Sequence, residues 1–307
     1  MTTVAVIAHQ NKTFDGGLPQ LRQLLLERGI TDQIWIEVPK SKKAPAAARK
    51  AVDQGADVLL LWGGDGTQQR CIDALRDTAV SIGILPAGTA NLLATNLGIP
   101  IDLVAAVDIA LGSTRQLIDV GTINGERFAV MAGAGFDAIM MDEADGALKD
   151  RFGRLSYVWT GARATHAKPP KMRITVDDNK WFDGRASCLL LGNMGIIGGG
   201  LSAFPDARSD DGLPEVGVVT AEGALQWARV LTRLAAGHAE KSPLAQMTRG
   251  RKIDVTVNRP MLHEPDGGAR NATTRLHARV QPSLPSVCRP GRGRAEHPAP
   301  HRAPRGR

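Results

Sequence analysis

The run Val58-Leu-Leu-Leu-Trp62 is apolar throughout and passes directly into Gly63-Gly64-Asp65-Gly66-Thr67. A strand without polar alternation is one covered on both faces, the condition of a parallel sheet flanked by helices. Three glycines in the next four positions let the backbone turn tightly into a helix. Main-chain N–H groups and the positive helix end then face a phosphate that a side chain at those glycines would block. The plainer reading is a strand-to-helix turn with no ligand, and one such turn is consistent with both. Asp65 sharpens the choice, because a carboxylate amid anion-attracting N–H groups makes sense beside a cation or a donor hydroxyl.

About 20 residues on, Ile82-Gly-Ile-Leu-Pro86-Ala87-Gly88-Thr89-Ala90-Asn91 repeats the passage from strand to turn to helix. Two neighbouring parallel strands would bring both turns to the carboxyl edge of one sheet, where open α/β sheets bind ligands. Thr89 is placed to cap the second helix or to hydrogen-bond a phosphate.

The segments around these turns fit the same architecture. Strands are expected at Val4–Ala8, Ile34–Val38, Val58–Trp62 and Ser81–Leu85. Helices are expected from Pro19 to Gly29, from Pro45 to Gly55, after Thr67, after Gly88 and from Asp102 to Leu111, the first two opened by Pro and closed by Gly. Such alternation predicts a doubly wound α/β domain with a parallel sheet over residues 1–116. From there the rhythm changes to a mainly antiparallel, sandwich-like β domain over residues 117–288. Hairpins are expected at Leu117–Ile123/Arg127–Met131 across Asn124-Gly125, and at Met172–Val176/Lys180–Phe182. Further strands are expected at Ser187–Leu191, Glu215–Val219, Ile253–Val257 and Leu276–Gln281, with one helix at Glu222–Ala236 whose Trp227, Val230 and Leu231 read as packing residues.

Composition excludes several classes. The net charge of +7 is concentrated at the end of the chain, where Arg289–Arg307 holds six Arg and one Glu. That leaves no basic face for specific nucleic-acid binding, and aromatics at 4% supply no stacking platform. Residues 289–307 read as a basic disordered tail suited to peripheral contact with an anionic membrane. The three cysteines, Cys71, Cys188 and Cys288, follow no metal-binding spacing, and no apolar run reaches membrane-spanning length. A cytoplasmic location is expected. Lys40, Lys42 and Lys43 lie past a strand on the ligand edge and read as a solvated basic loop.

Taken together, Gly-Gly-Asp-Gly-Thr, Pro-Ala-Gly-Thr-Ala-Asn-Leu-Leu-Ala, Gly133-Ala-Gly-Phe-Asp137 and Pro205-Asp-Ala-Arg208-Ser-Asp-Asp211-Gly-Leu213 resemble, in order, the motifs of bacterial diacylglycerol and sphingosine-type lipid kinases. The likeness implies an ATP- and Mg²⁺-dependent kinase that phosphorylates a lipid hydroxyl in the cleft between its domains. By position, Gly63, Gly64, Asp65, Gly66, Thr67, Gly88 and Thr89 would hold ATP, with Asp65 near the reacting phosphate. Asp211, with the carbonyls of Arg208 and Leu213, would bind a structural Mg²⁺. A hard cation takes oxygen ligands, and a tight Asp-Gly turn exposes them.

Departures from the pattern are equally specific. Ala8-His9-Gln10 replaces an expected Asn-Pro, and His9 reads as a polar strand end rather than a catalyst. Gln69 stands where relatives often have Asn. In Pro265-Asp266-Gly267-Gly268-Ala269 the Glu that relatives carry as proton acceptor is absent, which leaves Asp266 as the nearest catalytic candidate. Two alternatives follow: a soluble-substrate enzyme of the NAD kinase type, and a nucleotide-binding regulatory protein with weak turnover.

Overall fold

Four short apolar runs pair side by side in parallel. They are β1 (Val4–His9), β2 (Ile34–Val38), β3 (Val58–Gly63) and β4 (Ser81–Pro86), in spatial order β2-β1-β3-β4. This is a computed structural model, and it describes residues 2–112, 114–135, 168–266 and 270–291. Every residue of β1 and β3 is buried, as unbroken apolar runs require. The chain steps to one side for β2 and back to the other for β3. Right-handed crossovers therefore put α1 (Gly17–Glu27) on one face and α2 (Ala44–Asp53) and α3 (Asp65–Ala74) on the other. The short α4 (Leu92–Asn96) and then α5 (Leu103–Leu111) follow, the latter packing beside α1 and capped by the Asp102 carboxylate on the Ala105 N–H. The reversal between β1 and β3 opens a crevice at their carboxyl ends.

The second half is antiparallel, as expected. Its elements are β5 (Arg115–Ile123), β6 (Glu126–Phe128), β7 (Met131–Gly135), β8 (Lys171–Val176), β9 (Asn179–Arg185), β10 (Cys188–Gly192) and the small hairpin β11 (Ile196–Ile197) and β12 (Leu201–Ser202). They continue as β13 (Glu215–Val219), α6 (Gly223–Ala235), β14 (Ala245–Arg249), β15 (Lys252–Pro265) and β16 (Arg270–Cys288). Both hairpin turns use left-handed residues, Asn124-Gly125 and Asp177-Asp178. Strand β15 pairs with β8 over Ile253–Val257 and with β7 over His263–Pro265, so one strand serves both layers of the β region. Between the layers lies a second core that includes Phe128, Ile174, Leu189, Val216, Val255 and Leu276.

Four expectations need correction. The return strand of the first hairpin is only Glu126–Phe128, because the N–H groups of Ala129, Val130 and Met131 turn to a carboxylate instead of a strand. The helix expected after Thr67 already begins at Asp65, whose acidic side chain suits a first turn. β15 and β16 run well past the expected Ile253–Val257 and Leu276–Gln281. The end of β16 enters the parallel layer beside β4, pairing Ser286 with Ser81 and Val287 with Ile82. Arg289, counted with the tail, donates to the Leu97 carbonyl and to Gln116, and its N–H bonds the Thr114 carbonyl. The rest of the tail from residue 292, together with Phe136, Asp137, Gly267, Gly268 and Ala269, lies outside the described residues.

Candidate active site

The two glycine turns touch. A Cβ built on Gly88 would stand 2.5 Å from the Gly64 Cα, and one on Gly64 would stand 3.1 Å from the Gly88 Cα. At Gly63 a Cβ would meet the Thr67 side chain at 2.8 Å. None of Gly63, Gly64, Gly66 and Gly88 has a positive φ, so close approach rather than an unusual backbone angle is what demands glycine at Gly63, Gly64 and Gly88. Gly66 differs: it is exposed, and a Cβ there would meet nothing within 4 Å. Its face is open at the N-terminus of α3.

Asp65 joins the turns by a second route. Its Oδ1 accepts from the Leu93 N–H at 3.0 Å, so a carboxylate carried on the first turn of α3 satisfies an N–H in the first turn of α4. Asn91, in the left-handed region at φ 48°, completes the link. Its Oδ1 accepts from Gly88 N–H at 2.8 Å and its Nδ2 donates to the Gly88 carbonyl at 3.0 Å. Thr89, expected to cap the helix or to hydrogen-bond a phosphate, is exposed and takes no part in this link; the structural work falls to Asn91, which local spacing did not single out. Thr67 is buried at 1% exposure, its hydroxyl 2.8 Å from Ser41 Oγ. That bond holds the exposed Lys40, Lys42 and Lys43 against the glycine turn. Gln68 donates to the Gly63 carbonyl at 2.9 Å and Gln69 to the Arg127 carbonyl at 2.7 Å, fixing α3 beneath the turn. His9 is buried at the end of β1, its Nδ1 accepting from the Asn11 N–H.

Asp266 closes the site from the other half. It follows β15 at φ 43°, and its carboxylate accepts three main-chain N–H groups: Ala129 at 2.5 Å, Val130 at 3.0 Å and Met131 at 2.9 Å. Burial pushes its carboxyl up to about 6; the three N–H groups pull the other way, and the charge of Asp65 adds to the rise. Asp65 and Asp266, 201 positions apart in sequence, are thus near enough to feel one another. Three of about four acceptor positions on Asp266 are filled by the main chain, which makes it first of all a residue that positions β6 and β7.

The loop before β13 is strapped to β5. Asp119, 1% exposed, accepts from Gly212 N–H at 2.6 Å and donates its own N–H to the Ser209 carbonyl at 2.6 Å. Asp210 is engaged by Gln116 at 2.9 Å and by Arg208 at 3.2 Å. Asp211 uses one oxygen for the Leu213 N–H at 3.0 Å, and among the described residues no hydrogen bond engages the other. Among the described residues the carbonyls of Arg208 and Leu213 accept no hydrogen bond, and no trio of acidic, His or Cys side chains gathers there. One carboxylate oxygen and two carbonyls on a tight turn are a donor set that fits a hard cation such as Mg²⁺. Asp119 was invisible in sequence, as was Asn193, a buried amide that donates to the carbonyls of Asp119 and Ala129. Both act across 64 or more positions, beyond any local spacing.

Comparison with known proteins agrees with this arrangement. Residues 5–123 match the family described as "Diacylglycerol kinase catalytic domain", and residues 130–289 match "YegS C-terminal NAD kinase beta sandwich-like domain". A protein named "Diacylglycerol kinase" from Staphylococcus saprophyticus is 28% identical over 73% of this chain and 74% of its own length. One named "Probable lipid kinase YegS-like" from Klebsiella pneumoniae is 33% identical over 66% of this chain and 70% of its own length. Among solved structures, a diacylglycerol kinase from Bacillus anthracis superposes with a TM-score of 0.71 at 17% identity, covering 94% of this chain and 97% of that one. An NAD kinase from Archaeoglobus fulgidus in complex with ATP superposes at 0.51 with 11% identity, covering 94% of each chain. Both structural likenesses show the fold; the sequence matches show the family. The chain belongs to the kinase family in which a diacylglycerol kinase catalytic domain is followed by a YegS-type β domain.

Proposed function

We propose that this protein transfers the γ-phosphate of ATP to the hydroxyl of diacylglycerol or a related lipid, with Mg²⁺. The observation that carries this reading is the contact of Gly64 with Gly88, which packs two glycine turns into one surface at the carboxyl edge of the parallel sheet, with Asp65 between them. Main-chain N–H groups at Gly64–Gly66, at the start of α3, bind the phosphates; Gly66 leaves room for them, and Lys40, Lys42 and Lys43 add positive charge at the rim. Thr67 and Asn91 hold the turns in shape. The relatives' names support a lipid acceptor.

In this reading Asp65 acts on the reacting atoms. Its second oxygen is available to orient the acceptor hydroxyl or a cation beside the phosphate. Phosphoryl transfer through a loose transition state relies on such positioning and charge neutralisation more than on early proton removal. When bound, Mg²⁺ supplies charge neutralisation, and Asp211 with the carbonyls of Arg208 and Leu213 would hold the structural ion. Asp266 positions the main chain opposite Asp65, and burial pushes its own carboxyl up to about 6.

The test is incubation with ATP, Mg²⁺ and detergent-dispersed diacylglycerol, phosphatidylglycerol or sphingosine in parallel with NAD. Phosphorylated lipid supports the reading. Phosphorylated NAD without lipid product favours the soluble-substrate alternative, and tight ATP binding without any product favours a regulatory role.

A further inference from the structure

The hairpin β11–β12 is hydrogen-bonded to the nucleotide side through the Asn96 side chain, and Ile197 packs against the core of that side. Asn96, the last residue of α4, donates from Nδ2 to the Ile196 carbonyl at 2.8 Å and accepts at Oδ1 from the Ile196 N–H at 2.8 Å. The amide therefore pairs with Ile196 as a neighbouring strand would. Its Nδ2 also donates to the Leu92 carbonyl at 2.9 Å, which fixes the side chain on its own helix.

From α4 the connections run straight back to the glycine turns. Asn91 bonds Gly88 in both directions, Gly88 touches Gly64, and Asp65 accepts from Leu93. On its other side the hairpin leads into the strapped cation loop. Its base is closed by Gly195, where a Cβ would stand 2.1 Å from the Phe204 carbonyl oxygen. The hairpin itself is apolar and half-buried at Ile196, Ile197 and Leu201, around a glycine tip at Gly198–Gly200. It forms a two-stranded sheet apart from the main one, so no ladder to a larger sheet fixes its place.

We propose that Asn96 is a positioning residue that sets the Ile196–Ser202 hairpin against the phosphate turns, and that this hairpin is an apolar wall for the lipid acceptor. The acceptor assignment rests on the lipid-kinase reading; the latch does not. A contiguous hydrogen-bonded path of this kind couples two surfaces only if it has two states whose balance both surfaces bias.

The experiment compares wild type, Asn96→Asp and Asn96→Ala. Asp keeps the acceptor for Ile196 N–H and loses the donor; Ala loses both. Hydrogen exchange at the Ile196 amide is followed with and without Mg²⁺ and a non-hydrolysable ATP analogue, alongside ATP affinity and steady-state kinetics on dispersed lipid. Unliganded exchange at Ile196 is expected to speed up in the order wild type, Asp, Ala. Added nucleotide should slow it in wild type by no more than the about twofold that reciprocity with ATP affinity allows, and not in Asn96→Ala. KM for lipid should rise about three- to tenfold in Asn96→Ala while ATP affinity stays within about twofold.

Unchanged Ile196 exchange in Asn96→Ala would overturn the latch. Parallel losses of ATP affinity and lipid KM would reduce Asn96 to general support of the fold. An altered latch with unchanged lipid KM would overturn the acceptor wall. Absence of lipid turnover in wild type would overturn the kinase reading on which that wall rests, with the exchange series still deciding the latch.

Discussion

Gly64 and Gly88 lie Cα against backbone across two adjacent strands, so closely that neither can carry a side chain without moving the other turn. Gly88→Ala is expected to destabilise the fold by about 1–3 kcal/mol, the usual cost of forcing atoms into a packed contact. ATP affinity should fall with it. Gly66→Ala separates the two effects, since nothing lies within 4 Å of the added methyl. Stability should stay within about 1 kcal/mol of wild type, because Ala suits a helix better than Gly. The open face toward phosphate would be blocked, and ATP affinity should drop tenfold or more, the equivalent of about 1.4 kcal/mol. Thermal unfolding and calorimetric titration with ATP check both.

Asp65 combines a structural bond with an electrostatic role, and two substitutions divide them. Asp65→Asn keeps an oxygen for the Leu93 N–H and removes the charge. It should retain nearly full stability and lose phosphoryl transfer. Asp65→Ala should lose transfer and also about 1–3 kcal/mol of stability, because a main-chain N–H loses a charged acceptor. Pure charge chemistry with no structural part would leave the two variants equally stable.

Asp266 predicts a pH dependence with a definite sign. The folded carboxyl keeps its proton up to about 6, whereas the unfolded one releases it near 3.8. Its contribution is therefore fully present below about pH 4 and is lost as pH rises through 6, on the order of 2–3 kcal/mol. Asp266→Asn should remove this slope between pH 4 and 6. Asn can keep the Val130 and Met131 bonds at its one oxygen, but its amide would face the Ala129 N–H donor to donor. The variant should consequently be less stable overall with a flatter profile. Urea unfolding from pH 4 to 7.5 measures both features.

The end of the chain divides at Arg289. Truncation after Gly291 keeps the bonds of Arg289 to Leu97 and Gln116 and should leave stability and activity on dispersed lipid unchanged. Truncation after Cys288 removes them and should cost about 1–3 kcal/mol. Both truncations should weaken salt-dependent binding to anionic vesicles, since each Arg near such a surface contributes about 1 kcal/mol. Sedimentation with vesicles at low and high salt tests this.

Much of the parallel layer was legible because its signals are local. Unbroken apolar runs such as Val58–Trp62 and the Pro and Gly that punctuate α1 and α2 are read within a few residues. The paired glycine turns were legible for the same reason, although the cause of their glycines is mutual contact rather than φ. What escaped sequence was long-range partnership. The break at Ala129–Met131 exists because Asp266, about 136 positions away, takes those N–H groups. Asn96, Asp119 and Asn193 act through main-chain bonds whose partners the folded chain alone supplies, whereas Asn91 bonds Gly88 only three positions away. β14 was missed because Ala245–Arg249 has little apolar content and is held by its pairing with β13.

The most direct measurement is transfer of labelled γ-phosphate from ATP to dispersed diacylglycerol by wild type and Asp65→Asn, with and without Mg²⁺. The proposed site predicts labelled lipid in wild type, dependent on Mg²⁺, and none from an Asp65→Asn protein that unfolds at nearly the wild-type temperature. Undiminished labelling of lipid by folded Asp65→Asn would contradict it, as would wild type that binds ATP and labels no lipid.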